Sequence, residues 1–153
     1  MANKSWLQVE TVQRATKAGA AIHRLDAELL RRPPALFRSM GWGALPGIVL
    51  SRELEDGDEI VAGKMSLAVR HAPGHPPGGI ALYSSAEGVV FSGDTLFYGD
   101  LGRTDFPGGD ADTLLASIRK QLMTLPDETV VYPGHGPATT IGRERRTNPW
   151  LRA

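Results

Sequence analysis

Three short turns rich in glycine and proline constrain this chain more than anything else in it: Pro73-Gly74-His75, Ser92-Gly93-Asp94-Thr95 and Pro133-Gly134-His135-Gly136. Each adjoins a run that reads as a β-strand, namely Lys64–His71, Val89–Ser92 and Thr129–Tyr132. Strands of this kind deliver side chains to one edge of a sheet, and the glycines let backbone approach where a Cβ would interfere. Two imidazoles and a carboxylate at strand ends form the donor set of a hydrolytic zinc or a non-haem iron. Taken singly the signals are weak: Asp94 could cap the loop that follows or make an Asx-turn, and either histidine could be a satisfied surface residue. The combination carries the weight. A metal held there would lower the pKa of its bound water from about 16 to about 7 and polarise a carbonyl oxygen, which is the chemistry of ester or thioester hydrolysis.

The two other histidines read differently. His71 stands four residues before His75, but Pro73 and Gly74 forbid the helix that would put both on one face, so His71 is read as structural. His23 ends a short apolar run with no glycine beside it and is read as a surface or hydrogen-bonded core histidine.

The rest of the pattern is mixed α/β. Residues 8–18 have helical composition, Ala20–His23 reads as a short strand, and Asp26 as the cap of a helix over Ala27–Arg32 stopped by Pro33-Pro34. Residues 35–47 read as irregular. Asp56-Gly57 is expected to join Ser51–Leu54 and Glu59–Val61 as a hairpin, and Ser84–Gly88 to join Ile80–Tyr83 and Val89–Ser92. Leu114, Leu115, Ile118 and Leu122 mark an amphipathic helix over residues 110–124, capped by Asp110 and closed before Pro126. A last short helix is expected over Ile141–Arg146.

Length and charge exclude several classes. The 153 residues, 41% of them hydrophobic, predict one domain over 1–153 with a real core. Seventeen basic residues balance seventeen acidic ones, which gives no field to draw nucleic acid or an anionic membrane. The absence of a membrane-length apolar run and of a signal-peptide core at the start predicts a cytoplasmic location. With no cysteine, any metal is left to imidazole and carboxylate.

From about Ala20 onward the chain resembles the C-terminal two-thirds of a metallo-β-lactamase-fold hydrolase, close to the glyoxalase II-like branch. The resemblance rests on His71-Ala72-Pro73-Gly74-His75-Pro76-Pro77-Gly78, Phe91-Ser92-Gly93-Asp94-Thr95-Leu96-Phe97, Gly102-Arg103-Thr104-Asp105 and Tyr132-Pro133-Gly134-His135-Gly136-Pro137, with Thr147-Asn148-Pro149 after them. It implies an αββα sandwich with one or two metals, zinc or iron, at one edge of the sheets. By position, His75 resembles the third histidine of the first metal site, Asp94 the carboxylate that bridges both metals and acts through metal-bound water, and His135 the histidine of the second site. The family's His-x-His-x-Asp-His segment, which supplies two further ligands to each metal, is not in this sequence. The chain therefore resembles an N-terminally truncated member, with weakened metal binding and an exposed sheet open to self-association.

Three functions follow as expectations. The first is a metal-dependent hydrolase of a small acyl or thioester compound, impaired by the missing ligands, with Arg103 either holding a substrate carboxylate or simply pairing with Asp105 or Asp100. The second is a mononuclear iron persulfide dioxygenase, whose Gly-Arg-Thr-Asp-Phe segment resembles Gly102–Phe106. The third is a non-catalytic remnant that needs a partner chain.

Overall fold

Runs of Val, Ile, Leu and Tyr separated by turn residues pair readily into a sheet. The computed structural model, which describes residues 4–32, 35 and 48–152, places them in two compact units, Met1–Leu54 and Glu55–Ala153. The first unit holds helix α1 (Lys4–Thr16), strand β1 (Ala20–His23), helix α2 (Arg24–Arg31) and strand β2 (Leu50–Leu54), with β1 and β2 paired in parallel. Helix α1 starts earlier than its composition predicts and stops two residues sooner, where Lys17 takes a left-handed backbone (φ 60°). The cap of α2 is His23, not Asp26: the imidazole accepts from the Leu25 amide at 3.4 Å. The chain leaves β1 in an extended conformation at His23, so the helix begins at once. Asp26 then falls in the first turn, where a carboxylate faces the positive end of the helix dipole. The expected irregular stretch 35–47 lies outside the described residues, except for position 35.

The expected hairpin around Asp56-Gly57 does not form. The turn is there, but β2 pairs with β1, while β3 (Glu59–Ala62) turns through Gly63-Lys64 to pair with β4 (Met65–His71). A shorter, two-residue turn with Gly63 at φ 65° competes better for β3.

The second unit is built on a six-stranded sheet in the order β10-β9-β6-β5-β4-β3, adding β5 (Ile80–Ser84), β6 (Val89–Gly93), β9 (Val130–Pro133) and β10 (Thr139–Thr140). A small hairpin of β7 (Leu96–Phe97) and β8 (Asp100–Leu101), unexpected from the sequence, turns at Tyr98-Gly99. Strand β4 runs antiparallel to β5, β5 antiparallel to β6, and β6 parallel to β9. Strands β4, β6 and β9 therefore share a direction and end at the same edge of the sheet. The turns carrying His75, Asp94 and His135 follow those three ends.

One face of this sheet is sealed by helix α3 (Ala111–Ser117), which widens into a π-helical turn over Ile118–Leu122. Asp110 caps it, its carboxylate accepting from the Thr113 amide at 2.7 Å. The i, i+4, i+8 spacing of Leu114, Ile118 and Leu122 puts all three against Ala81, Val90 and Val131 of the strands, joined by Leu96, Leu125 and Ile141 of the closing helix α4 (Ile141–Thr147). Each large side chain so buried contributes about 1.5–3 kcal/mol, enough together to hold the strand ends in place.

Candidate metal centre

Asp94 follows Gly93, whose φ of 52° turns the chain sharply off the end of β6. The amide of Gly134 bonds back to the carbonyl of Gly93 at 2.8 Å, drawing the turn after β9 against the one after β6. A Cβ on Gly134 would overlap Asp94 Oδ1, so this closeness requires glycine. Gly102 has the same role on the other side, where a Cβ would overlap the Asp94 carbonyl and press on His75 Cβ.

The three side chains meet at this edge. His75 Nε2 stands 3.7 Å from Asp94 Oδ2, and His135 Nε2 stands 3.9 Å from Asp94 Oδ1. Each histidine faces a different oxygen, so Asp94 lies between two half-sites of two donors each. Consistent with this, no group of three His, Asp or Glu side chains among the described residues could hold a metal ion. Ligands about 2.0–2.1 Å from one tetrahedral ion stand roughly 3.4 Å apart, and both pairs lie within about half an ångström of that spacing.

The tautomer of His75 is fixed by its neighbour. Its Nδ1 lies 2.7 Å from the Arg103 carbonyl oxygen, which can only accept, so Nδ1 carries the proton and donates. A neutral imidazole then turns the Nε2 lone pair toward a carboxylate oxygen. Two acceptors facing one another call for a cation between them, a proton or a metal. A backbone carbonyl behind the ring is how metal-binding histidines are oriented.

Aromatic rings wall the site. Phe106 meets His75 edge-on at 5.1 Å, and Phe97 stacks on His135 at 4.5 Å. The pocket at this edge has a volume of about 440 Å³ and is lined by Phe97, Tyr98, Asp100, Leu101 and Arg103 beside the three side chains. The Arg103 guanidinium is bidentate on Asp105, at 2.8 and 3.0 Å. That hydrogen bond raises the arginine further above its ordinary range and holds the Asp105 carboxyl below its own.

His71 turns away from the site and bonds through Nε2 to the Pro77 carbonyl at 2.9 Å, and His23 is buried at the cap of α2. Neither joins the cluster. The sequence pattern gave no sign of Phe97 and Phe106 as walls, nor of Glu144 as a buried residue, because it sits in the charged run Arg143-Glu144-Arg145-Arg146, which reads as a solvated face.

The chain matches a model of the metallo-beta-lactamase superfamily over residues 8–135 and belongs to that superfamily. It is 44% identical over 97 residues to the hydroxyacylglutathione hydrolase GloC of Haemophilus influenzae, covering 63% of this chain and 46% of that protein. It is 37% identical over 111 residues to the mitochondrial persulfide dioxygenase ETHE1 of Bos taurus, covering 70% of this chain and 44% of that protein. Among solved structures it resembles the BLEG-1 B3 metallo-beta-lactamase, with a TM-score of 0.79, 36% identity and coverage of 95% of this chain and 70% of that one. It also resembles TTHA1623 in a di-iron-bound form, with a TM-score of 0.77, 42% identity and coverage of 94% and 70%. These likenesses put it on the glyoxalase II-like branch, in a fold that implies a divalent metal. The chain spans about half the length of the curated relatives it matches.

Proposed function

We propose that this member of the metallo-beta-lactamase superfamily supplies part of the metal centre of a hydrolase acting on a thioester or related small acyl compound, in the cytoplasm. The observation that carries this reading is the pair of imidazoles standing against separate oxygens of one carboxylate, with the His75 tautomer set by the Arg103 carbonyl. Neutral imidazole and carboxylate suit zinc or iron. A divalent metal bound there would acidify water and polarise a substrate carbonyl.

The chain's own residues have separable roles. Asp94 offers one oxygen to each half-site, His75 and His135 complete one pair each, and the rings of Phe97 and Phe106 pack against His135 and His75 in turn. Arg103 is available to a substrate carboxylate only if it gives up Asp105, and the free energy of a good bidentate pair opposes that exchange. Two donors per half-site fall short of the three protein ligands of a catalytic zinc, so this chain alone binds metal weakly and turns over slowly.

A second reading, a mononuclear iron persulfide dioxygenase, is favoured by Gly102-Arg103-Thr104-Asp105-Phe106 and by the likeness to ETHE1. The test is to load the chain with zinc or with iron and offer an acylated thiol or a persulfide. Release of thiol that disappears in Asp94→Ala supports hydrolysis. Oxygen uptake with the persulfide in the iron form moves the assignment to the second reading. If no metal is retained and neither substrate is consumed, the hydrolase assignment fails for this chain and only a partner-dependent remnant is left.

A further inference from the structure

Glu144 is fully buried, yet it is a carboxylate on a helix whose neighbours in sequence are arginines. Four donors converge on it. Oε1 accepts from the Thr139 hydroxyl at 2.6 Å and from the Arg143 guanidinium at 2.5 Å, and Oε2 accepts from the Asn148 side-chain amide at 2.8 Å and from the backbone amide of Gly99 at 2.9 Å. Burial alone pushes this carboxyl up, but the hydrogen bonds from Thr139, Asn148, Gly99 and Arg143 outweigh it and hold it below the ordinary range. The group is ionised in its buried position, where an unpaired charge would be expensive and a fully bonded one is rigid.

Three of those donors belong to β10, α4 and the residue just after α4. The fourth, Gly99, lies at the tip of the β7–β8 hairpin that lines the candidate metal pocket. The hairpin forms its own two-stranded sheet, separate from the six-stranded one, and three more contacts tie its tip to the same place. The Asn148 side chain donates to the Asp100 carbonyl at 3.3 Å, the Trp150 indole N–H donates to the Asp100 carboxylate at 3.0 Å, and the Arg143 guanidinium lies 3.5 Å over the Tyr98 ring. Phe97, two residues before Gly99, is the ring stacked on His135. His135 itself has a largely exposed side chain, and Phe97 packs on one face of its ring.

We propose that Glu144 is a positioning residue for His135, acting through the Gly99 amide and the Phe97 ring to hold the β7–β8 hairpin against the metal edge. The inference extends the metal-site reading to a residue outside the pocket, but its core claim concerns the metal-free protein and can be tested there. Asn148 acts with Glu144, since it bonds to the carboxylate and to the hairpin at once. Thr139 completes the cradle from the sheet side.

The experiment is to compare the parent chain with Glu144→Gln and Phe97→Leu by NMR without metal, following the exchange of the Gly99 amide and the ring signals of His135 and His75. Glu144→Gln is expected to speed Gly99 exchange at least tenfold and to move the His135 ring signals, while those of His75 stay in place. Phe97→Leu, which leaves Glu144 intact, is expected to move His135 in the same sense with Gly99 still protected. A general loss of structure would disturb both histidines together, so a shift confined to His135 separates positioning from mere stability. Unchanged His135 signals in either variant overturn the proposal; if Glu144→Gln does not fold, Asn148→Ala, which removes one bond to the same carboxylate and one to the hairpin, is expected to move the His135 signals alone, and an unmoved His135 there overturns the proposal. A cobalt titration of the same samples then reads the metal site separately: a parent chain that binds no cobalt defeats the metal reading and leaves the positioning result standing.

Discussion

At the scale of single residues, Asp94 should matter most, because among the described residues its side chain alone faces both histidines. Asp94→Ala should abolish metal retention, while His71→Ala and His23→Ala leave it at the parent level. Elemental analysis after dialysis checks this, and equal metal content in all three variants would remove Asp94 from the site. Gly134→Ala tests the same point through the backbone. Its methyl group would collide with Asp94 Oδ1, so metal affinity should fall at least tenfold with the fold intact by circular dichroism. Gly74 answers a different question. It has φ 123°, and a Cβ there would strike the backbone of Leu114 at the start of α3, so Gly74→Ala should cost about 2–4 kcal/mol in urea unfolding.

At the scale of elements, the sealing helix and the closing helix make separate predictions. Ile118, wholly buried where α3 widens, should cost about 2–5 kcal/mol when changed to alanine. For Glu144 the sign of the pH effect follows from its lowered pKa. A carboxyl whose folded pKa lies below its unfolded value stabilises the protein above the unfolded value, and that stability is lost as pH falls through the folded one. Thermal unfolding should therefore show an acid-side loss below the ordinary glutamate range, and Glu144→Gln should flatten that slope. An equally steep slope in the variant would mean that the loss comes from other carboxyls. Asp110 has a lowered pKa of the same origin, from its bond to Thr113, and should add to the acid limb through the cap of α3.

At the scale of the whole molecule, Phe91 and Tyr132 stack side by side on adjacent strands, and both remain partly exposed. Contiguous aromatic surface of this kind favours association, so sedimentation should show self-association that Phe91→Ser weakens, and a monodisperse monomer at all concentrations would contradict it. Among the described residues no helix is long and apolar enough to cross a membrane. Much of this architecture was legible in the residues. Alternation and turn chemistry located β4, β5, β6 and β9 within a residue or two, and helical spacing located Leu114, Ile118 and Leu122 on the core face of α3, because these are local effects of side-chain period and backbone freedom. Leu115, counted with them, is only half-buried. The partner of β2 was not legible, since either neighbour satisfied the same pattern and pairing is settled by which strand arrives in register. The sequence determined by itself that His75, Asp94 and His135 would stand in turns at strand ends, because glycine and proline act on the backbone within a few residues. Only the tertiary structure decided that β4, β6 and β9 end at one edge, that each imidazole takes its own carboxylate oxygen, and that Glu144 is buried beneath the hairpin. Those outcomes depend on strand order and on donors brought together from distant parts of the chain, which no local pattern encodes.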